Sequence, residues 1–148
     1  LVLNDILFCH QIPAVMSKYI LKVGKDQEHQ KSSGVWISTA SGSTAAICSA
    51  GGEILPIGSK AMQLFVREPY QWGMAPYRLT RCVTHLPTYL TSLMDKAAIY
   101  IDGARVVYRL SFGDRVKIEP GAPPIRILGY RPELRDALAS RYISPPRV

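Results

Sequence analysis

Acidic residues, cysteine and long apolar runs are all scarce in this chain, and each shortage removes a class of protein. Eleven Asp and Glu stand against eighteen Lys and Arg, a formal net charge of +7 over 148 residues. The cations are spread out and build no basic helix, so nucleic acid is not the expected partner. Arg126, Arg131, Arg135, Arg141 and Arg147 thicken the C-terminal end but alternate with apolar and acidic residues. A positive field would recruit small polyanions, and a merely solvated basic surface would look the same. Cys9, Cys48 and Cys82 are an odd number and widely spaced, which gives neither a disulfide framework nor a zinc pattern. They read as free thiols in a reducing compartment, and the cytoplasm is the expected location. No apolar run approaches the ~20 residues of a membrane span, and no membrane partner is expected. His10, His29 and His85 are too scattered to build a triad or a metal site. No internal repeat or low-complexity tract is present, and the length suits one domain.

What is there reads mostly as short strands. Asp5 to His10 is a brief apolar run, and Ser17 to Val23 alternates. Gly24 to Ser33 is polar and charged, which predicts a loop or an irregular hairpin tip. Gly34 to Ser38 and Met62 to Val66 are strand-like, the latter ending at Pro69. Tyr70 to Tyr77, rich in Pro, Gly and aromatics, reads as a surface excursion. Leu79 to Thr84, Tyr89 to Leu93, Ala98 to Ile101, Val106 to Leu110, Arg115 to Ile118 and Ile125 to Leu128 complete the strands. Asp102-Gly103 and Gly113-Asp114 are turn signals. Pro132 to Arg141 is helix-like, with Leu134 and Leu138 four apart. Such a series predicts a mainly β, sandwich-like fold, with one short helix after residue 43 and another at the C-terminal end.

The densest information lies in Ser38 to Gly52, STASGSTAAICSAGG. A strand exits into small hydroxyl residues and glycine, and a run of helix formers follows. The spacing predicts a turn over 39–42, an N-cap at Ser41 or Ser43, and a two-turn helix from Thr44 to Ala50. Ile47 and Ala50 would face inward, and Gly51-Gly52 would end the helix in a left-handed conformation. Small residues ahead of a helix N-terminus let a backbone approach a phosphate-bearing ligand. They also serve simply to pack a tight strand–helix corner, and from spacing alone the two readings stand equal. The pattern is not the three-glycine dinucleotide fingerprint, and it lacks the Lys of a nucleoside-triphosphate loop.

Ser38-Thr39-x-x-Gly42-Ser43-Thr44-Ala45, followed by Ser49-Ala50-Gly51-Gly52, resembles the signature of the NAD kinase family. Leu3-Asn4-Asp5 is similar to the family's upstream Asn-acidic pair, and Phe65-Val66-Arg67-Glu68-Pro69 to its Arg-Pro strand end. Ile101-Asp102-Gly103 and Gly113-Asp114-Arg115-Val116 resemble its two late turns. The resemblance implies transfer of a phosphoryl group from ATP to the 2′-hydroxyl of the adenosine ribose of NAD or NADH. It implies a dinucleotide-binding β domain over 1–130, of the NAD kinase and diacylglycerol kinase-like superfamily, with a helical tail over 131–148. The family's Gly-Gly-Asp-Gly loop, which carries the catalytic Asp, belongs to a separate N-terminal α/β domain and does not occur here. The chain, opening mid-pattern without Met, is therefore expected to be the C-terminal part of a longer enzyme, inactive alone. A non-catalytic dinucleotide sensor and a lipid or diacylglycerol kinase are the rival classes.

The resemblance assigns substrate contacts to Asn4, Asp5, Ser33, Ser38, Thr39, Ser41, Gly42, Thr44, Ala45, Ala46, Ser49 and Asp102. Asn4 and Asp5 would serve the nicotinamide side, although an Asx turn explains them equally from the residues alone. Asp5 replaces the usual Glu, Ala46 the usual Tyr, and Ser33 the usual Asp. The lost carboxylate and ring suggest a changed preference between NAD and NADH, and the local pattern is similar to a plant-type branch that includes NADH-preferring kinases. Asp102 would reach a neighbouring subunit's ligand in a homo-oligomer, a dimer or tetramer. Arg67 would bind a phosphate or pair with Glu68. No protein metal cage is expected, since Mg²⁺ would arrive with ATP.

Overall fold

The computed structural model of the chain describes residues 1–73 and 75–143. Ten strands form two antiparallel sheets. These are β1 (Asp5–His10), β2 (Ser17–Val23), β3 (Asp26–Ser32), β4 (Gly34–Ser38), β5 (Met62–Arg67), β6 (Arg81–Thr84), β7 (Thr88–Ser92), β8 (Ala97–Ile101), β9 (Val106–Leu110) and β10 (Arg115–Ile118). The larger sheet runs β6-β5-β4-β1-β8-β9 and the smaller β10-β7-β2-β3. A 3-10 turn (Gly42–Thr44) and helix α1 (Ala46–Ser49) follow β4, and α2 (Pro132–Ile143) comes last. The mainly β, two-sheet expectation therefore holds. No helix among the described residues is long and apolar enough to cross a membrane.

Alternation explains how the sheets meet. Ile6 and Phe8, Val35 and Ile37, Leu64 and Val66, and Ile99 point from the large sheet into one core with Tyr19, Leu21 and Leu90 of the small sheet. Each fully buried side chain of this size contributes about 1.5–3 kcal/mol. Phe8 and Tyr19 meet edge-to-face at 5.5 Å. The Tyr19 hydroxyl lies 2.7 Å from Ser32 Oγ, so its polar tip is satisfied inside the core.

Several expectations need correction. The stretch 24–33, expected as a loop or an irregular hairpin tip, is a two-residue hairpin tip at 24–25 followed by a full strand: β3 pairs with β2 over seven positions, from Ser17↔Ser32 to Val23↔Asp26. Its polar side chains suit an edge strand, and buried Gln30 donates from Nε2 to the Leu79 carbonyl at 3.1 Å. Pairing with a neighbour overrode a composition that reads as loop. The predicted helix from Thr44 to Ala50 is one 3-10 turn and one α-turn. Ile47 is buried as expected, but Ala50 is exposed. Ile125 to Leu128 forms no strand, and Leu128 is fully exposed; Pro123 and Pro124 supply no ladder donors just before it. The 70–77 excursion is at the surface where described, with Trp72 84% exposed, and Met74 lies outside the described residues. Residues 144–148 of the expected tail, Arg147 included, also lie outside them.

Candidate functional site

Strands β1, β4 and β8 are apolar on both faces. A strand reads that way only when something covers each side. The inner face meets the small sheet. The outer face carries Leu7, Trp36 and Tyr100 in one row, because Leu7 is paired with both Trp36 and Tyr100. Phe65 extends the row beyond Trp36. A cavity of about 460 Å³ opens over this row, lined among others by Asp5, Leu7, Cys9, Ser33, Trp36, Arg67 and Tyr100. A second hollow of about 640 Å³ lies over Phe65, Arg67 and Gly51. Arg67 lines both, so the two hollows adjoin across it, and together they are the trough.

The trough has an aromatic floor, two arginines, Arg67 and Arg81, and two acids, Asp5 and Glu68. The Arg67 guanidinium sits 5.9 Å from the centre of the Trp36 ring and 3.8 Å from Glu68. It is tied to both but bound bidentately to neither, so it retains donors for an anion. Burial, and then the negative charge of Asp102, push the Asp5 carboxyl above its usual value. Burial also raises the Cys9 thiol, partly offset by Arg67, so Cys9 stays a neutral thiol in the wall.

The Ser38–Gly52 turn stands at one edge of this sheet face and is built against the N-terminal segment. Thr39 donates its backbone N–H to the Asn4 carbonyl at 2.9 Å, and its hydroxyl donates to the Leu3 carbonyl. Ser41 Oγ donates to Asn4 Oδ1 at 3.2 Å. Gly42 packs so tightly on Asn4 that an added Cβ would sit 1.9 Å from the Asn4 carbonyl oxygen. The turn therefore needs glycine here for space, at an ordinary φ. Gly51 does take the left-handed conformation, at φ +100. Gly52 does not; a Cβ there would lie 2.8 Å from the Ile47 carbonyl oxygen.

Two local predictions fail at the turn. Neither Ser41 nor Ser43 caps a helix. Instead Thr39 Oγ1 accepts from the Gly42 N–H at 3.2 Å, while Ser43 Oγ donates to the Ala40 carbonyl at 2.7 Å. The backbone N–H groups of Ser43 and Ala45 are also taken internally, by the carbonyls of Ala40 and Gly42. The N-terminal cradle suggested by the spacing is thus largely spent inside the turn.

The expected contact residues fall into three sets. Asp5, Ser33 and Arg67 line the trough. Asn4, Thr39, Ser41 and Gly42 meet one another and line neither hollow. Thr44, Ala46 and Ser49 are exposed on the turn and Ala45 is half-buried; none of these four lines either hollow. Ser38 is buried, its hydroxyl unpartnered among the described residues. Asp102, at φ 50, turns its carboxylate back on the chain. Its oxygens accept the N–H groups of Leu3, Asn4 and Asp5 at 2.9, 2.7 and 3.2 Å. Among the described residues, no group of three or more His, Cys, Asp or Glu comes together to hold a metal ion.

Fold and site together define a class: a two-sheet β domain with a nucleotide-sized trough on one sheet and a hydroxyl-rich turn at one edge of that sheet face. No protein-family model matches the chain. It is 31% identical over 134 residues to a probable NADH kinase of Oryza sativa subsp. japonica, covering 85% of this chain and 41% of that protein. To an NADH kinase of Arabidopsis thaliana it is 37% identical over 100 residues, covering 66% and 31%. The chain thus spans less than half the length of the curated relatives it matches. Its fold is shared with an NAD kinase from Archaeoglobus fulgidus solved with ATP, at TM-score 0.72 and 22% identity, covering 97% of this chain and 55% of that one. It is shared also with yeast NADH kinase solved with NADH, at TM-score 0.68 and 18% identity, covering 86% and 37%. In sequence over much of its length, and in fold, the chain is similar to NADH and NAD kinases, matching a part of each.

Proposed function

We propose that this chain is the dinucleotide-holding part of an NAD(H) kinase, which phosphorylates the 2′-hydroxyl of the adenosine ribose with ATP to give NADP(H). The observation that carries the reading is the trough. It offers aromatic and apolar side chains to flat rings, Arg67 to a phosphate, and Asp5 to a ribose hydroxyl. Rigid positioning is most of what phosphoryl transfer asks of a protein. In this reading residues 1–130 hold the dinucleotide and the tail over 131–148 braces them. The catalytic Asp and the site for ATP with its Mg²⁺ lie in residues outside this chain. Ser33, in place of Asp, leaves the nicotinamide end of the trough less charged, which favours NADH. A cytoplasmic homo-oligomer completes the proposal.

The test is formation of NADP(H) by the full-length protein from ATP with NAD or with NADH. Product from either, with the dinucleotide KM raised by Trp36→Ala on the trough floor, supports the kinase. Tight dinucleotide binding without turnover points to a sensor. Phosphorylation of a diacylglycerol in place of the dinucleotide points to a lipid kinase. Detectable NADP formation by the isolated chain overturns the division of labour, and a kcat/KM ratio strongly favouring NAD overturns the NADH preference.

A further inference from the structure

Helix α2 is held to the body in an unusual way. Leu134 and Leu138, the two residues that suggested an apolar face, are 58% and 54% exposed. Ala139 is its one buried apolar residue among those described. What anchors the helix is polar. The Arg135 side chain is only 16% exposed. Its Nη1 donates to the Leu55 carbonyl at 2.6 Å and to Asp136 Oδ1 at 2.9 Å. Its Nη2 donates to the Ala40 carbonyl at 2.8 Å and to Ser43 Oγ at 3.2 Å. Asp136 in turn accepts the Ile57 N–H at 3.2 Å.

Outside its own helix, Arg135 bonds to Ala40 and Ser43 in the turn and to Leu55 just beyond it. Ala40, Ser43 and Leu55 are all buried. Ser43 Oγ joins them, donating to the Ala40 carbonyl and accepting the Leu55 N–H at 2.9 Å. A guanidinium inserted here reaches two carbonyls and a hydroxyl at once. The single ammonium of a lysine cannot span them in the same plane. A charge this buried is retained only where its donors are used, and here they are used on the turn. The side chain lines neither hollow of the trough.

We propose that Arg135 is a positioning residue for dinucleotide binding: it fixes the turn from Ala40 to Ser43 from behind and acts on the ligand through it. The proposal rests on the functional reading given above. It couples the seating of the C-terminal helix to the affinity of the site, so whatever lifts α2 weakens the hold on the dinucleotide.

The experiment uses the full-length protein with Arg135→Ala, Arg135→Lys and Leu90→Ala. Leu90 is fully buried in the small sheet, so its variant lowers stability without touching the turn. Steady-state kinetics are expected to show the dinucleotide KM raised about tenfold in Arg135→Ala, the scale of one lost charge-assisted hydrogen bond. The KM for ATP and kcat should stay near wild type, and Arg135→Lys should recover only part of the loss. Amide exchange of the ligand-free proteins should show residues 41–46 opening faster in both Arg135 variants and not selectively in Leu90→Ala. An unchanged dinucleotide KM overturns the proposal, as does an equal rise in Leu90→Ala. Should Arg135→Ala not fold, Arg135→Lys reads the same comparison. A wild-type protein without kinase activity overturns the functional reading instead. Amide exchange then decides separately whether Arg135 holds the turn.

Discussion

Replacing Gly42 by alanine adds one methyl group at the tightest point of the molecule. The new Cβ would lie 1.9 Å from the Asn4 carbonyl oxygen and 2.3 Å from its carbonyl carbon. Ordinary contact begins at 3.4 Å, so about 1.5 Å must be found. Both obstructing atoms are backbone, so no rotamer change relieves the clash. Either the turn lifts or the entry to β1 shifts. Overpacking costs about 1–3 kcal/mol even where neighbours can yield. Lifting the turn also stretches the bonds from the Thr39 N–H and hydroxyl to the N-terminal segment, each worth about 1 kcal/mol. The expected loss is therefore about 3–5 kcal/mol, or roughly 10 °C in Tm for a protein of this size. Urea denaturation read by fluorescence measures it, with dinucleotide binding followed by calorimetry on the same samples. Gly58→Ala is the control, since nothing lies within 4 Å of its Cβ position and its φ is ordinary; it should be neutral or slightly stabilising. A Gly42→Ala variant as stable as Gly58→Ala would refute the reasoning.

Other outcomes follow from the same geometry. The folded state holds the proton of Asp5 more tightly than the unfolded chain does, because of burial and then Asp102. Ionised Asp5 therefore subtracts stability above its raised pKa, and the favourable contribution is whole only below the ordinary value of 3.8. Asp5→Asn should stabilise the protein at pH 7 and lose that advantage near pH 3, as thermal melts at the two pH values would show. Glu28 is the opposite case. Burial alone would raise it, but the N–H groups of Arg78 and Leu79, with Gln30, hold it below the usual value. Its contribution is present above the usual carboxylate pKa and lost as pH falls through the lowered one. Glu28→Gln should cost stability at pH 7, by a margin that shrinks in acid. Trp36→Ala should weaken dinucleotide binding about tenfold, the worth of one stacked ring, while Trp72→Ala at the surface should leave it unchanged in the same titration.

The strand pattern was legible because strands bury alternating or continuous apolar residues, and β1, β2, β4, β9 and β10 run where the periodicity places them. β3 was not legible, since an edge strand with a wet face looks like a loop until its partner is known. The turn was recognisable from its small residues. Its internal wiring was not, because which hydroxyl accepts the Gly42 N–H, Thr39 in the event, depends on the path of the backbone. The aromatic floor of the trough was legible in principle. β1, β4 and β8 are too apolar for strands with a wet outer face, and that excess is the signal that would have pointed to Leu7, Trp36 and Tyr100, none of which was singled out. Arg135 had no such signal. Its role exists only because a helix more than ninety residues away in sequence folds back on the turn.

The strand order of the large sheet bears on how the protein is made. β1 emerges first yet lies between β4 and β8, and the brace on the turn comes from residue 135. Pairings so distant along the chain form slowly, because each must close a long loop before it is rewarded. At roughly 5–20 residues per second of synthesis, the stretch from Asn4 to Arg135 takes on the order of ten seconds to appear. Until then β1 waits for β8 and the turn has no Arg135 behind it. The nascent chain thus completes the pairing of β1 and the brace on the turn long after β1 itself is made.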